Sequence, residues 1–290
     1  MAESLSEAEA RLTPATRRFV WRDGTGSVVV GGIVFLGIVL VALLAPVIAP
    51  NPNEIASAPP LSGPGWPHLM GTDDTSRDVL SRVLDAARID LLIAVAGALI
   101  SFAIGTVTGL FLGYVRGRGS ELVMRVLDVV QAFPLLVFGL ALVSFLAPRF
   151  GVTAMLIVAV AFVSVPVFIR LVRSETLAVA EMPFVEAARA VGNPTWRIVL
   201  RHVLPNVLTS SLVQLTTTAG YAILTVGALS FVGVGVQPPR AEWGLMILQG
   251  SQVLVTGQWW PAVFPGVALF VTVLSLHMMG EGFVRLRRVR

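Results

Sequence analysis

The sequence predicts an all-α integral membrane protein with six transmembrane helices and both termini on one side of the bilayer. Three observations carry that expectation. Of 290 residues, 55% are hydrophobic and only 13% charged, whereas an ordinary soluble domain carries roughly a quarter charged residues. The apolar residues gather into uncharged runs, and about 20 such residues are enough to cross a bilayer. The connecting segments alternate between arginine-rich and arginine-poor.

In chain order, residues 1–27 form a polar tail carrying Arg11, Arg17, Arg18 and Arg22. The uncharged run over 24–53 is longer than a signal-peptide core of about 7–15 residues, so 28–50 is expected to be a retained first span. Residues 51–88 make an external loop whose first part is proline-rich. Beyond it, Thr75 or Ser76 is expected to cap an interfacial helix with Val79, Leu80, Val83, Leu84 and Ala87 on one face. Asp78 and Arg82 stand four apart on that helix. Further spans are expected over 91–115, 129–148 and 150–169, the last two separated by Arg149. The uncharged stretches 202–239 and 243–280 each exceed one span. Pro238-Pro239, Gly244 and the 257–261 cluster mark their non-spanning parts. Residues 89–282 thus form a five-helix core, followed by a basic tail over 283–290.

All 21 basic residues are arginine. The N-terminal tail holds four, the 116–125 loop three, the 170–201 segment five and the C-terminal tail four. The opposite side holds five: Arg77, Arg82, Arg88, Arg149 and Arg240. The positive-inside rule therefore places both termini in the cytoplasm. Spread this way, the basic charge follows membrane topology and does not form a nucleic-acid patch. The absence of cysteine excludes disulfides and thiol chemistry. The absence of lysine excludes a phosphate-binding P-loop, so any ATP hydrolysis belongs to another chain.

Residues 181–205, EMPFVEAARAVGNPTWRIVLRHVLP, place unusual polarity between two apolar runs. Phe184, Val185, Ala188 and Val191 recur at helical spacing, Gly192 suits a helix-ending turn, and Asn193-Pro194 is expected to cap and start a second helix. Pro205 is expected to break the chain again.

Here the chain resembles the cytoplasmic coupling loop of ABC-importer permeases. Its pattern is carried by Glu186-Ala187-Ala188, Gly192 and Leu204-Pro205, with His202 where the generic pattern has Ile. That change resembles the dipeptide/oligopeptide/nickel branch. The resemblance extends through His68, Gly71-Thr72-Asp73, the 77–82 run RDVLSR, Leu127-Asp128, Ala132-Phe133-Pro134, the 170–173 run RLVR, the 229–239 run LSFVGVGVQPP, Trp243-Gly244 and the 280–282 run GEG. It implies a type I ABC importer permease fold in a bacterial or archaeal cytoplasmic membrane, with 174–205 as the ATPase-coupling loop. It also implies a heterodimer with a second permease, two ATPase subunits that hold ATP and Mg, and an extracytoplasmic binding protein. Dipeptides or oligopeptides are the implied solutes; nickel chelates, glutathione and haem would also suit the family.

No motif argues for catalysis or a bound cofactor. His68, His202 and His277 lack metal-ligand spacing, and His277 is expected to be a packed helix residue. Ser210, Gln214, Thr217, Tyr221 and Thr225 form a polar stripe on the fifth span. It suits either a translocation pathway or helix packing. Asp128 and Gln131 suit either solute contact or, as the favoured reading, a structural pairing with Arg125 or Arg170; Pro134 and Pro166 suit kinks, and Gly105, Gly109 and Gly113 suit close helix packing. Two other classes fit the composition. A secondary transporter would be expected to bury ionisable groups at mid-membrane, where only His277 qualifies; a membrane scaffold would need no pathway. Co-isolation with an ATPase separates all three.

Overall fold

Helix α1 (Gly24–Ile48) is apolar on all sides, as a lipid-facing span must be. The computed structural model describes residues 24–49, 51–55 and 58–288; the expected tail residues 1–23 and 289–290 fall outside the described residues. Most of the α1 surface is open, and its tight contact is Gly31, where a Cβ would stand 2.6 Å from the carbonyl oxygen of Ser275.

The second helix, α2 (Val79–Val115), corrects the expected interfacial segment. It is one uninterrupted rod of 37 residues, so the amphipathic stretch and the span are continuous. Its cap is Asp78, which accepts from the Ser81 amide at 2.8 Å. Thr75 is committed elsewhere: its amide and hydroxyl both donate to Asp73 ahead of the helix. Ser76 sits at φ 59°, outside the conformation an N-cap adopts. The Asp78–Arg82 pair does not form. Asp78 also meets His68 at 2.9 Å, while Arg82 turns back to Asp73 at 3.4 Å.

The expected third span is broken. Helices α3 (Arg118–Ala132) and α4 (Leu135–Phe150) meet at a bend of 82°. Pro134 lacks an amide hydrogen and drives Phe133 out of the helical region, to ψ 127°. The amphipathic α3 is held by Ser120, whose hydroxyl donates to the Leu112 carbonyl and accepts from Arg173. Arg170 pairs with Asp128, as the structural reading of that residue expected.

Gly151, at φ 86°, makes the turn into α5 (Val152–Val179); Arg149 still belongs to α4. Pro166 lies inside α5 without ending it. Helices α2 and α5 run side by side in the same direction. Added Cβ atoms at Gly97, Gly105, Gly109 and Gly113 would collide in turn with Val160, Phe168, Val172 and Thr176. The glycine spacing therefore serves backbone approach.

After α5 come α6 (Pro183–Ala190), α7 (Thr195–Ile198), a π-helical segment (Val199–Val203) and α8 (Leu204–Phe231). Then α9 (Trp243–Val253) runs through a 3₁₀ turn to Gly257, and α10 (Trp260–Arg288) closes the chain. Among the described residues, five helices are long and apolar enough to cross a membrane, or six with α3–α4 as one bent span. The main core joins α2, α5, α8, α9 and α10 around residues such as Ile93, Leu156, Val226, Leu229 and Trp243. The chain is a multi-pass membrane protein.

Candidate functional site

Helix α6 begins with Pro183 in its first turn, where a missing amide hydrogen costs nothing. Its eight residues split into two faces. Val185 and Ala188 are buried in a separate small core with Leu110 of α2, Val172 of α5, and Ile198, Val203 and Val207 beyond the turn. Glu186, Ala187 and Arg189 face outward. The guanidinium of Arg189 lies 5.6 Å from the Tyr114 ring centre on α2, and Arg116 pairs with Glu181 at 3.0 Å. Helix α6 is thereby fixed to the ends of α2 and α5.

The helix ends as its sequence predicts, at Gly192. The Asn193 amide reaches back to the Ala188 carbonyl, and the Gly192 amide to that of Arg189. This is the paired closure that needs a left-handed residue between its two bonds, and Gly192 supplies φ 83°. An added Cβ there would meet no atom within 4 Å, so φ alone requires glycine.

Two expectations are corrected at this turn. Asn193 does not cap the second helix; its side-chain nitrogen donates to the Ala188 carbonyl at 3.1 Å and so finishes the first. Helix α7 starts at Thr195 after Pro194. Nor does Pro205 break the chain. The π segment widens the turn just before it, and the helical rod runs unbroken from Thr195 to Phe231. Leu204 joins the small core and Pro205 is exposed.

The outer surface of this unit is apolar with a charged rim. Val191 is 83% exposed and Trp196 61%, with Met182, Phe184 and Leu200 also open. Arg197 stacks over Trp196. An exposed apolar patch rimmed by charge on a well-closed turn suits a protein contact.

Along α8 the polar stripe is not uniform. Ser210 is buried, Gln214 and Thr217 half-buried, and Tyr221 60% exposed. The Gln214 side chain donates to Thr218 at 3.2 Å. Thr217 faces α10, where a Cβ on Gly280 would lie 3.0 Å from its hydroxyl. Tyr221 meets His277 edge-on at 6.5 Å, beside an open apolar crevice of about 280 Å³ between α8 and α10. His277 is exposed on the bundle surface and not packed as expected. Among the described residues, no group of three or more His, Asp or Glu could hold a metal.

Sequence reasoning passed over the opposite end of the bundle, where α9 begins. Glu242 caps α9, accepting from the Gly244 and Leu245 amides at 2.8 and 2.7 Å. Asp90 accepts from the Trp243 amide, and the Trp243 indole donates to the Val83 carbonyl, both at 3.0 Å. Burial pushes the Glu242 carboxyl above its ordinary range, and its amide donors pull it partly back. Arg82, 1% exposed, ties Asp73, Asn53 and the Pro239 carbonyl together. The available signal was a charge, Asp90, at the edge of an otherwise uncharged run.

A family model described as binding-protein-dependent transport system inner membrane component matches residues 105–289. The chain is 37% identical over 260 residues to the di/tripeptide transport system permease protein DppC of Pseudomonas aeruginosa, covering 87% of this chain and 84% of that one. It is 38% identical over 220 residues to the glutathione transport system permease protein GsiD of Pectobacterium atrosepticum, covering 76% and 72%. It is 34% identical to the probable D,D-dipeptide transport system permease protein DdpC of Escherichia coli, covering 91% and 88%. With the α6–Gly192–α8 unit, the bent α3–α4 span and helix α9 all inside the matched region, the chain belongs to the family of binding-protein-dependent transport system inner membrane components.

Proposed function

We propose that the chain is one permease subunit of an ATP-driven importer that carries short peptides delivered by an extracytoplasmic binding protein. The observation that carries this reading is the α6–Gly192–α7 unit. It is a small knob with its own core, locked to α2 and α5 on one side and presenting Val191 and Trp196 on the other. A part that transmits force between chains must be stiff and must offer an apolar contact, and this one has both properties. Two ATPases hold ATP and Mg, and each seats a coupling knob, one from this chain and one from a homologous second permease. ATP-driven closure moves the knobs and opens the bundle outward; hydrolysis resets it. Within this chain Glu186, Ala187, Ala188, Gly192, Leu204 and Pro205 build the coupling unit, and Ser210, Gln214, Thr217 and Tyr221 contribute hydrogen-bonding groups along the pathway. The chain performs no chemistry of its own. The arginine distribution supports a cytoplasmic position for the α6 end and both termini.

The relatives support peptides as the solute class: two are named for di- or tripeptides or D,D-dipeptides, and the third for glutathione, itself a tripeptide. The test is reconstitution with the candidate ATPases, second permease and binding protein, followed by uptake of labelled di- and tripeptides and of glutathione. Uptake that depends on ATP is expected. Failure to co-isolate with any ATPase, or uptake driven by an ion gradient without ATP, overturns the reading. Orientation is checked on the same preparation. An impermeant thiol reagent should label a cysteine placed at Gly63, which is open to solvent, from outside only, and one at the exposed Ala178 from inside only.

A further inference from the structure

Two carboxylates meet at the first turn of α9, and among the described residues no cation pairs with them. Asp90 is 2% exposed and Glu242 1% exposed. Together they take the three consecutive amides of Trp243, Gly244 and Leu245, which fixes the two side chains against the same helix terminus. The helix dipole and three amides suit one negative charge there. A second negative charge in the same dry space opposes the first.

The oxygens are not equivalent. Both Glu242 oxygens accept amide hydrogens, so both are needed as acceptors. Asp90 uses Oδ2 for the Trp243 amide, and among the described residues no donor reaches its buried Oδ1. A buried acceptor without a donor is costly, whereas the same oxygen carrying hydrogen becomes a donor and removes one of the two like charges. We propose that Asp90 and Glu242 form a proton-binding site, with the proton resident on Asp90 Oδ1 and directed to the Glu242 carboxylate. Binding takes one proton from water and leaves one negative charge on the pair.

The surrounding charges leave this conclusion intact. On α2, Arg82 is engaged by Asp73, Asn53 and the Pro239 carbonyl, and Arg88 pairs with Asp85. Arg240, on the loop before Glu242, is exposed. Helix α9 has no ionisable residue, α8 has only the exposed Tyr221, and those of α10 begin at His277 in its second half. The charged neighbour of Asp90 is Glu242, whose carboxyl burial pushes up.

The occupied site joins α2 to α9 across the chain, so it acts as a clamp on this end of the bundle. The folded protein keeps a proton that the unfolded chain has released above the ordinary carboxylate range. Stability therefore falls as pH rises above that range, until the folded protein releases the proton as well.

The experiment uses the full chain in detergent, where both ends see one pH and orientation does not matter. Asp90→Asn places a permanent donor where the proton sits and keeps the acceptor for the Trp243 amide. In wild type at about pH 7, infrared spectra should show the carbonyl stretch of a protonated carboxylic acid, absent in Asp90→Asn and in Glu242→Gln. The thermal midpoint of wild type should fall between about pH 6 and about pH 9, by up to about tenfold in the unfolding equilibrium per pH unit, and the Asp90→Asn slope should be flatter. Absence of the acid band in wild type overturns the proposal even if neither variant folds. An unchanged slope in Asp90→Asn overturns it as well. So does stabilisation by sodium chloride over choline chloride at equal ionic strength without an acid band, which would make the ligand a metal cation.

Discussion

Gly192 at one end of this bundle and Gly244 at the other are glycines for opposite reasons. At the α6 end, Gly192 stands in open space and is required by its positive φ. At the α9 end, a Cβ on Gly244 would run into the backbone of Gly227, and one on Gly235 into Ser230. Neither has a positive φ, so space alone demands glycine there. One end projects a turn outward, and the other is seated backbone on backbone and closed by buried polar ties. A surface that must find a partner needs a fixed shape and free surroundings. A junction that holds several segments together needs close contact instead.

This contrast is broken most decisively at Gly244. Gly244→Val forces side-chain atoms against the Gly227 backbone, which has no rotamer to yield. Overpacking of this kind costs about 1–3 kcal/mol or more. A marked drop in the thermal midpoint and poor recovery of folded protein are expected, with ATPase association lost only as a consequence. If the variant unfolds like wild type, the seat is not tight.

Gly192→Val tests the other end. Its strain is conformational, roughly 1–2 kcal/mol for a left-handed β-branched residue, and it falls on a short unit outside the main core. The chain should remain inserted, while ATPase association and solute-stimulated hydrolysis fall together. Gly192→Asn is the sharper control, because asparagine tolerates that conformation and open space receives its side chain. It should retain most coupling. Equal loss in both variants would mean that space, not φ, is limiting, and that a partner covers the turn closely.

Glu186→Ala should do least. The residue is exposed on the rim of the apolar patch, so the thermal midpoint should be unchanged within about 0.5 kcal/mol. The ATPase affinity should fall by less than about tenfold. A larger loss would shift the weight of the contact from Val191 and Trp196 to charge.

The features legible in the sequence were those set by a residue and its near neighbours. Uncharged run lengths gave most of the spans, Gly192 the turn, and the Gly105–Gly109–Gly113 spacing the close packing; Pro134, expected to kink a span, breaks it instead. Features decided by competition among several polar side chains were misjudged. Thr75, Ser76 and Asp78 all suit a cap, and Asp73 settles the matter by taking Thr75. Asn193 is equally able to end one helix or start another. Pro205 looks like a break because nothing in local composition announces the π turn before it. The Asp90 site was out of reach for a different reason. Asp90 and Trp243 are 153 residues apart, and only the packing of α2 against α9 brings them into contact.

The unbroken run from Thr195 to Phe231 has a mechanical consequence. At about 1.5 Å per residue, its 37 residues make a lever about 55 Å long, well beyond the hydrocarbon thickness of about 30 Å. A tilt of about 5° about one end sweeps the other through about 5 Å, one helical pitch. In such a lever the close approach of Gly280 to Thr216 and Thr217 would serve as a pivot, and the widened turn at Val199–Val203 as the compliant point. Stiffness in that turn, more than in the apolar length beyond it, would set how much of a push at Trp196 arrives at Phe231.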